Sequence, residues 1–337
     1  MKNIHPFISV TSLVTVTILF RLIAYVFYGD TQLENEWQIL VHNLTKQGVL
    51  GINVVVSEFI AIPKLASSNE LVLPSVFMPP LYSFFIFIIK YTFSNFFNYV
   101  NIIILLQIIL NTLTVFFLFR IIKFNNSKSF SFLFALIFSL IPLNIYSSVQ
   151  ISSICLQVFL LTYLLYILKK FSVDQNYTNL IIFSILSSLL ILVRGEFFLF
   201  YFFILFYFFV YNYKNVKYLI ISIIITSFLI SPYLIRNYKT FNEIILTKSL
   251  GYNLLKGNNI EFKVEGNLDF IEKEYNRAEL KIPTDNNYEI KLDDFYKNQA
   301  IEFITKNPIK FFLNYFLKVF SFLFFDFNST YQNYYNI

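Results

Sequence analysis

Three carboxylates, Asp30, Glu34 and Glu36, stand close together in YGDTQLENEWQILVHNL, residues 28–44, where the first long apolar run of the chain stops. A carboxylate at a membrane boundary could take a proton from an acceptor hydroxyl, which is general-base chemistry. Asp30 is the best placed of the three, because it sits where a lipid headgroup would lie. Glu34 closes Thr31-Gln32-Leu33-Glu34, which fits a capping box, so a structural role accounts for it equally well. Glu36 reads also as a solvated face residue. Asp30 itself could be no more than a favourable charge near a helix N-terminus, worth about 0.3–1 kcal/mol.

Arginines form the second chemical set. Arg21 and Arg194 lie within or at the end of apolar runs, and Arg236 ends the last clear one. A charge at the bilayer centre costs at least about 2.5–3.5 kcal/mol unless it is paired or hydrated, so such residues face a cavity or a partner. Two guanidinium groups at one depth could hold a phosphate through charge-assisted hydrogen bonds. The plainer alternatives are an Arg194–Glu196 pair, although neighbours two apart do not face each other on a helix, and snorkelling of Arg236 to headgroups. Asp293-Asp294 reads as capping or decorating a loop helix rather than as a metal-binding pair. No phosphate-cradling glycine loop is present, and the lone Cys155 and two histidines exclude an intramolecular disulfide and a histidine cluster. Asn328-Ser-Thr has the form of a glycosylation sequon, a weak signal.

The elements that must position these groups are membrane helices. Of the 337 residues 57% are hydrophobic and 14% charged, against about 25% charged in soluble domains; the mean hydropathy is +0.62. A span needs about 20 apolar residues, and candidates run over 7–28, 75–95, 98–119, 129–147, 150–168, 178–193, 196–213 and 216–235, with a doubtful one at 309–327. The first resembles a signal peptide, but Arg21 interrupts it and no cleavage site follows, so it reads as a retained span. Arg120, Lys123 and Lys128, then Lys169 and Lys170, then Lys214 and Lys217 mark three cytoplasmic turns, and Lys2 puts the N-terminus on the same side. The marks agree only if 75–95 does not cross. We therefore expect an interfacial or re-entrant helix there, on the outer face, with Pro74, Pro79, Pro80 and Lys90.

This topology sends 29–74 and 237–308 outward, and they hold 17 of the 20 acidic residues. Leu33, Trp37, Leu40, Val41 and Leu44 share one helix face, which predicts a helix lying flat on the membrane with Trp37 at the headgroups and Glu34, Gln38, His42 and Asn43 turned away. Residues 237–308 read as a small cap ending in an amphipathic helix near Asp293–Thr305, before Pro308. The bases cluster in short gaps between apolar runs, unlike a nucleic-acid stripe, so no nucleic-acid partner is expected. The expectation is an all-α integral membrane protein: a transmembrane domain over 1–236, a periplasmic cap over 237–308 and a C-terminal membrane-associated segment over 309–337 that reads as truncated.

Several pieces together resemble the bacterial polyprenyl-phosphate-sugar glycosyltransferases of the GT-C fold, the group of the protein mannosyltransferases and lipid A aminoarabinose transferases. The acidic first loop with its aromatic-led helix is matched by Asp30 to Leu44, and the Pro-Pro-Leu-Tyr signature by Pro79 to Tyr82. Leu192-Val193-Arg194-Gly195 matches the basic close of a mid-chain span. SPYLIRNYKTFNEIILTKSLGYNLLKGNN, residues 231–259, is similar to the Arg-Asn-Tyr…Gly-Tyr-Asn-Leu…Gly-Asn-Asn run, and Asn307-Pro308 with Lys318 to the late Asn-Pro and Lys. The chain departs at the base: Leu33 stands where the family's Asp precedes its Glu, Glu34 matches that Glu, and Asp30 is displaced. The resemblance implies inverting transfer of a sugar from a polyprenyl-phosphate carrier to a lipopolysaccharide, other glycan or protein acceptor, on the outer side of a bacterial inner membrane. It implies Asp30 as base, with Glu34 or Glu36 as substitute or sugar-binding partner, and Arg194, Arg236, Lys318 and Tyr82 at the lipid phosphate. No cofactor is evident, and nothing indicates a divalent metal, though the chemistry leaves room for one. A transporter or flippase, or a non-catalytic glycan-assembly protein, is the alternative class; transporters show repeats and midplane charges, and no repeat is visible.

Overall fold

A computed structural model of the chain describes residues 9–33, 35–54, 71–211, 216–261, 270–271, 274 and 282–323. Glu34, Lys2, Lys214 and residues 324–337 therefore lie outside the described residues. The chain divides into two units: unit 1 comprises 1–34 and 79–236, unit 2 comprises 35–78 and 237–337. The first polar loop thus groups with the later polar stretch, whereas the sequence placed it with the helical domain.

Unit 1 is helical: α1 (Val10–Tyr28), α3 (Pro80–Phe93), α4 (Tyr99–Lys123), α5 (Lys128–Leu140), α6 (Pro142–Ser147), α7 (Ser153–Val173), α8 (Tyr177–Val193), α9 (Phe197–Tyr211) and most of α10 (Val216–Phe241). α1, α4, α7 and α10 are long and apolar enough to cross a membrane. Their surfaces are inside out relative to a soluble protein. α1 starts on a Ser9–Ser12 capping box and buries only Leu13, Thr17, Arg21 and Ala24, one narrow stripe, while Phe20, Ile23, Val26 and Phe27 stay exposed. Burying polar groups and exposing apolar ones is what a hydrocarbon solvent favours.

Side-chain pairs fix the register of the bundle. α1 and α4 are antiparallel: Leu13 packs with Val115 and Phe119, Arg21 meets Asn111, and Ala24 packs with Ile104 and Ile108. α4 and α7 are parallel, with Cys155 Sγ donating to the Gln107 carbonyl, Phe117 stacked on Tyr163 and Phe124 against Tyr166. α8 and α10 are parallel as well, through Tyr177 against Tyr218 and Ser184 Oγ donating to Ser222 Oγ at 3.0 Å. α3 and α4 form a hairpin in which Tyr82 meets Gln107 and Lys90 lies over the Tyr99 ring. α3 therefore runs back toward the end where α4 begins.

Unit 2 holds α2 (Asn35–Gln47), α11 (Leu250–Gly257), α12 (Tyr288–Lys306), α13 (Pro308–Leu323) and a hairpin that the sequence reading missed. β1 (Gly51–Val54) pairs antiparallel with β2 (Leu71–Pro74), Gly51 opposite Pro74 and Val54 opposite Leu71. Gly48, at φ +69°, ends α2 in the left-handed conformation that glycine adopts without steric cost. The expected membrane-surface helix is corrected on two points. Trp37, Leu40 and Val41 are buried in protein. Asn43, expected on the outer side, is fully buried, its Nδ2 donating to the Gly51 carbonyl at 2.9 Å and to Asn53 Oδ1 at 2.7 Å. An amide can satisfy a strand edge that lipid headgroups would not reach.

Candidate functional site

Asp30 is held at the end of α1 by the link between α6 and α7. Its carboxylate accepts the Ile151 N–H at 2.6 Å, and its own N–H donates to the Val149 carbonyl at 3.2 Å. The same link carries a chain of amides. Gln150 Nε2 donates to the Tyr28 carbonyl at 2.6 Å, Gln107 Nε2 to the Gln150 carbonyl at 2.7 Å, and the Tyr82 hydroxyl to Gln107 Oε1 at 2.7 Å. Asp30 also lies within electrostatic range of Tyr82. The half-buried carboxylate is thus an oriented group rather than a loose surface charge. Tyr82 is fully buried with its hydroxyl committed to Gln107, so its place here is a strut beside Asp30; holding a lipid phosphate would mean giving that bond up.

Deeper in the unit lies a cation that the sequence flagged without its partners. Arg21 is fully buried. Its Nε donates to Asn111 Oδ1 at 2.7 Å, and its Nη1 to the carbonyls of Thr17 and Ser139 at 3.0 and 3.1 Å. Nη2 has no partner, and no carboxylate pairs with this guanidinium among the described residues. The break between α5 and α6 explains the arrangement. Pro142 has no N–H and cannot continue α5, which leaves carbonyls at its C-terminal end without intrahelical donors. Arg21 takes the Ser139 carbonyl, and Asn144 Nδ2 takes that of Phe138 at 3.1 Å. The cation also faces the negative end of the α5 dipole. No sequence spacing points to this set, because its members come from α1, α4, α5 and α6.

The helix registers carry Arg194 and Arg236 to the end of unit 1 where Asp30 sits. Arg194 follows the last residue of α8, at the end where α4 and α7 begin. α10 runs parallel to α8 through the Tyr177–Tyr218 and Ser184–Ser222 pairs, so Arg236, late in α10, lies toward the same end as Arg194. Arg194 is half-buried and makes no ion pair with Glu196 among the described residues. The opposite end carries Lys123 over the Phe119 ring, Lys170 over Tyr166 and Lys217 over Tyr177 and Tyr218.

The other expected site residues belong to unit 2. Glu36 is half-buried in the first turn of α2, where a carboxylate suits the helix dipole. Lys318 Nζ donates to the Gly257 carbonyl, the last of α11, at 2.6 Å. Glu34 lies outside the described residues. Two unit 2 carboxylates have positioning roles. Glu289 accepts from the Ser75 hydroxyl and from the Val76 and Phe77 N–H groups at 2.8 and 3.1 Å, so the later polar stretch grips the loop that leads to Pro79. Asp293 Oδ1 accepts the Tyr252 N–H at 2.9 Å and caps α11, whose own Ser249 makes no side-chain cap; Asp294 pairs with Lys248 at 2.9 Å. Among the described residues no group of three or more His, Cys, Asp or Glu side chains comes together to hold a metal ion.

No protein-family model matches the chain, and neither a curated protein nor a solved structure matches it.

Proposed function

We propose that this membrane protein is a glycosyltransferase of GT-C type that moves one sugar, with inversion, from a polyprenyl-phosphate carrier to a cell-envelope acceptor. The single observation that carries the reading is the gathering of an oriented carboxylate, Asp30, and two arginines, Arg194 and Arg236, at one end of unit 1, away from the lysine-marked end. In this reading Asp30 takes the proton of the acceptor hydroxyl. The acceptor oxygen bonds to the anomeric carbon as the bond from that carbon to the phosphate oxygen breaks. Polyprenyl phosphate leaves with the electron pair, and the guanidinium groups stabilise its added charge, the kind of preorganised electrostatics that is strongest in a dry site. With lysine-rich turns in the cytoplasm, the Asp30 end faces the outside of a bacterial inner membrane. The acceptor class, glycan, lipid or protein, is left to experiment.

The experiment is a mass comparison of envelope glycans from cells with and without the gene. A deficit of one sugar residue in the deleted strain supports the reading; identical glycans speak against it.

A second reading, a transporter, draws on Arg21. A buried cation at the end of a broken helix is a transporter trait. It predicts substrate movement across vesicles that requires Arg21 and is indifferent to Asp30→Asn.

A further inference from the structure

The surface of α13 is divided by kind. Lys310, Asn314 and Lys318, each four residues on from the last, form one stripe against unit 2, with Asn314 and Lys318 turned into it and the Lys310 bond at its exposed edge. Lys310 Nζ donates to the Ile260 carbonyl at 2.9 Å and Lys318 Nζ to that of Gly257 at 2.6 Å. Asn314 between them is buried, as is Ser321 one turn on. The rest of the helix circumference is exposed and apolar, led by Ile309, Phe312, Leu313, Phe316, Leu317 and Phe320. A helix lying against water has the reverse pattern. The change is abrupt: α12, just before Pro308, carries the exposed pair Lys306–Glu302.

We propose that α13 is immersed in the hydrocarbon of the lipid bilayer, with Lys318 sheltered against the Gly257 carbonyl and Lys310 in its first turn at the water boundary, and that it ties unit 2 to the membrane. Two observations choose lipid over a protein partner. Protein-docking patches are apolar at the centre with a polar rim, whereas the exposed arc of α13 has no charged side chain from Ile309 to Phe320. The same chain also exposes apolar arcs on α1 and α10, helices long and apolar enough to cross a membrane, so a bilayer is the apolar medium its other helices call for. The 16 residues from Pro308 to Leu323 are about 24 Å of helix, a length that a hydrocarbon core of about 30 Å can take in. The inference is independent of the glycosyltransferase reading.

The test uses the full chain in phospholipid vesicles, with Cys155→Ser as background. Nitroxide labels are placed at Phe312→Cys, Phe316→Cys and Phe320→Cys, with Glu302→Cys as the water-exposed control. Collision with oxygen, which partitions into hydrocarbon, is compared with collision with a polar nickel chelate. The three arc labels should show an oxygen-to-nickel ratio about tenfold above the control, because the chelate is excluded from an apolar medium. A ratio equal to the control overturns the proposal. So does exclusion of both reagents with spin–spin broadening that grows with protein density, which would mean a second copy covers the arc. Phe316→Trp in a Trp37→Phe background keeps an aromatic in place should the cysteine variants fail to fold; its quenching by acyl-brominated lipid supports immersion, and the lack of quenching contradicts it.

Discussion

The Asp30 carboxylate accepts the Ile151 amide at 2.6 Å, and this bond ties the end of α1 to the start of α7. An acid that receives a backbone N–H has its orientation set by the fold. Tyr82 and Gln107 support the same link.

Tyr82→Phe separates two roles for the tyrosine. If Tyr82 is a strut, the variant leaves Gln107 Oε1 without its buried donor, and stability falls by about 1–3 kcal/mol. Thermal melts in detergent should then move while the KM for the lipid-linked donor stays put. A raised KM with an unchanged melt would instead mean that the hydroxyl touches the phosphate.

Arg194 is half-buried just past α8, and the proposed function gives it the phosphate of the donor. Arg194→Ala should lower kcat/KM for donor about 10²–10³-fold, the usual loss for one transition-state donor in a dry site. Arg194→Lys should fall between, since an ammonium cannot repeat a bidentate fork. Equal activities in all three proteins would remove Arg194 from the site.

In the Arg21 network, removing a partner should cost more than removing the charge. Asn111→Ala deprives a buried guanidinium of an acceptor, a loss of about 1.5–3 kcal/mol for a bond to a charged group. Arg21→Met orphans acceptors but also lifts the cost of burying a cation, and such replacements are often close to neutral. Denaturation of the two variants should therefore rank Asn111→Ala as the less stable; the opposite order would mean that the guanidinium contributes net stability.

α11 lies so close to α12 that a Cβ on Gly251 would sit 1.9 Å from the Asp293 carbonyl oxygen. Backbone cannot yield as a flexible side chain can, so Gly251→Ala should destabilise unit 2 by about 1–3 kcal/mol or more. Limited proteolysis around α11 and α12 would report it; an unchanged digestion rate would contradict the packing.

Apolar runs made the helices of unit 1 legible, because a span must satisfy its own backbone and announces itself by length. The helix at Pro80–Phe93 was legible in the same way, as an apolar run opened by Pro79-Pro80. What stayed hidden was pairing. Gln107, Asn111 and Asn144 are single polar residues in apolar surroundings, and nothing local says which helix will supply the partner. The β1–β2 hairpin was missed because its two strands are short and separated by a long stretch. Asn43 was misplaced because its partner is the backbone of that unseen hairpin. Glu289 looked like any loop acid, since its role depends on the Ser75–Phe77 amides more than two hundred residues earlier.

The central claim is that Asp30 is the base of a sugar transfer, and complementation tests it most directly. Cells lacking the gene would receive the wild-type or the Asp30→Asn protein at matched membrane levels, and the mass of their envelope glycans would be read. The account predicts that the wild-type protein restores one sugar residue and the Asp30→Asn protein restores none. Full restoration by Asp30→Asn would contradict it.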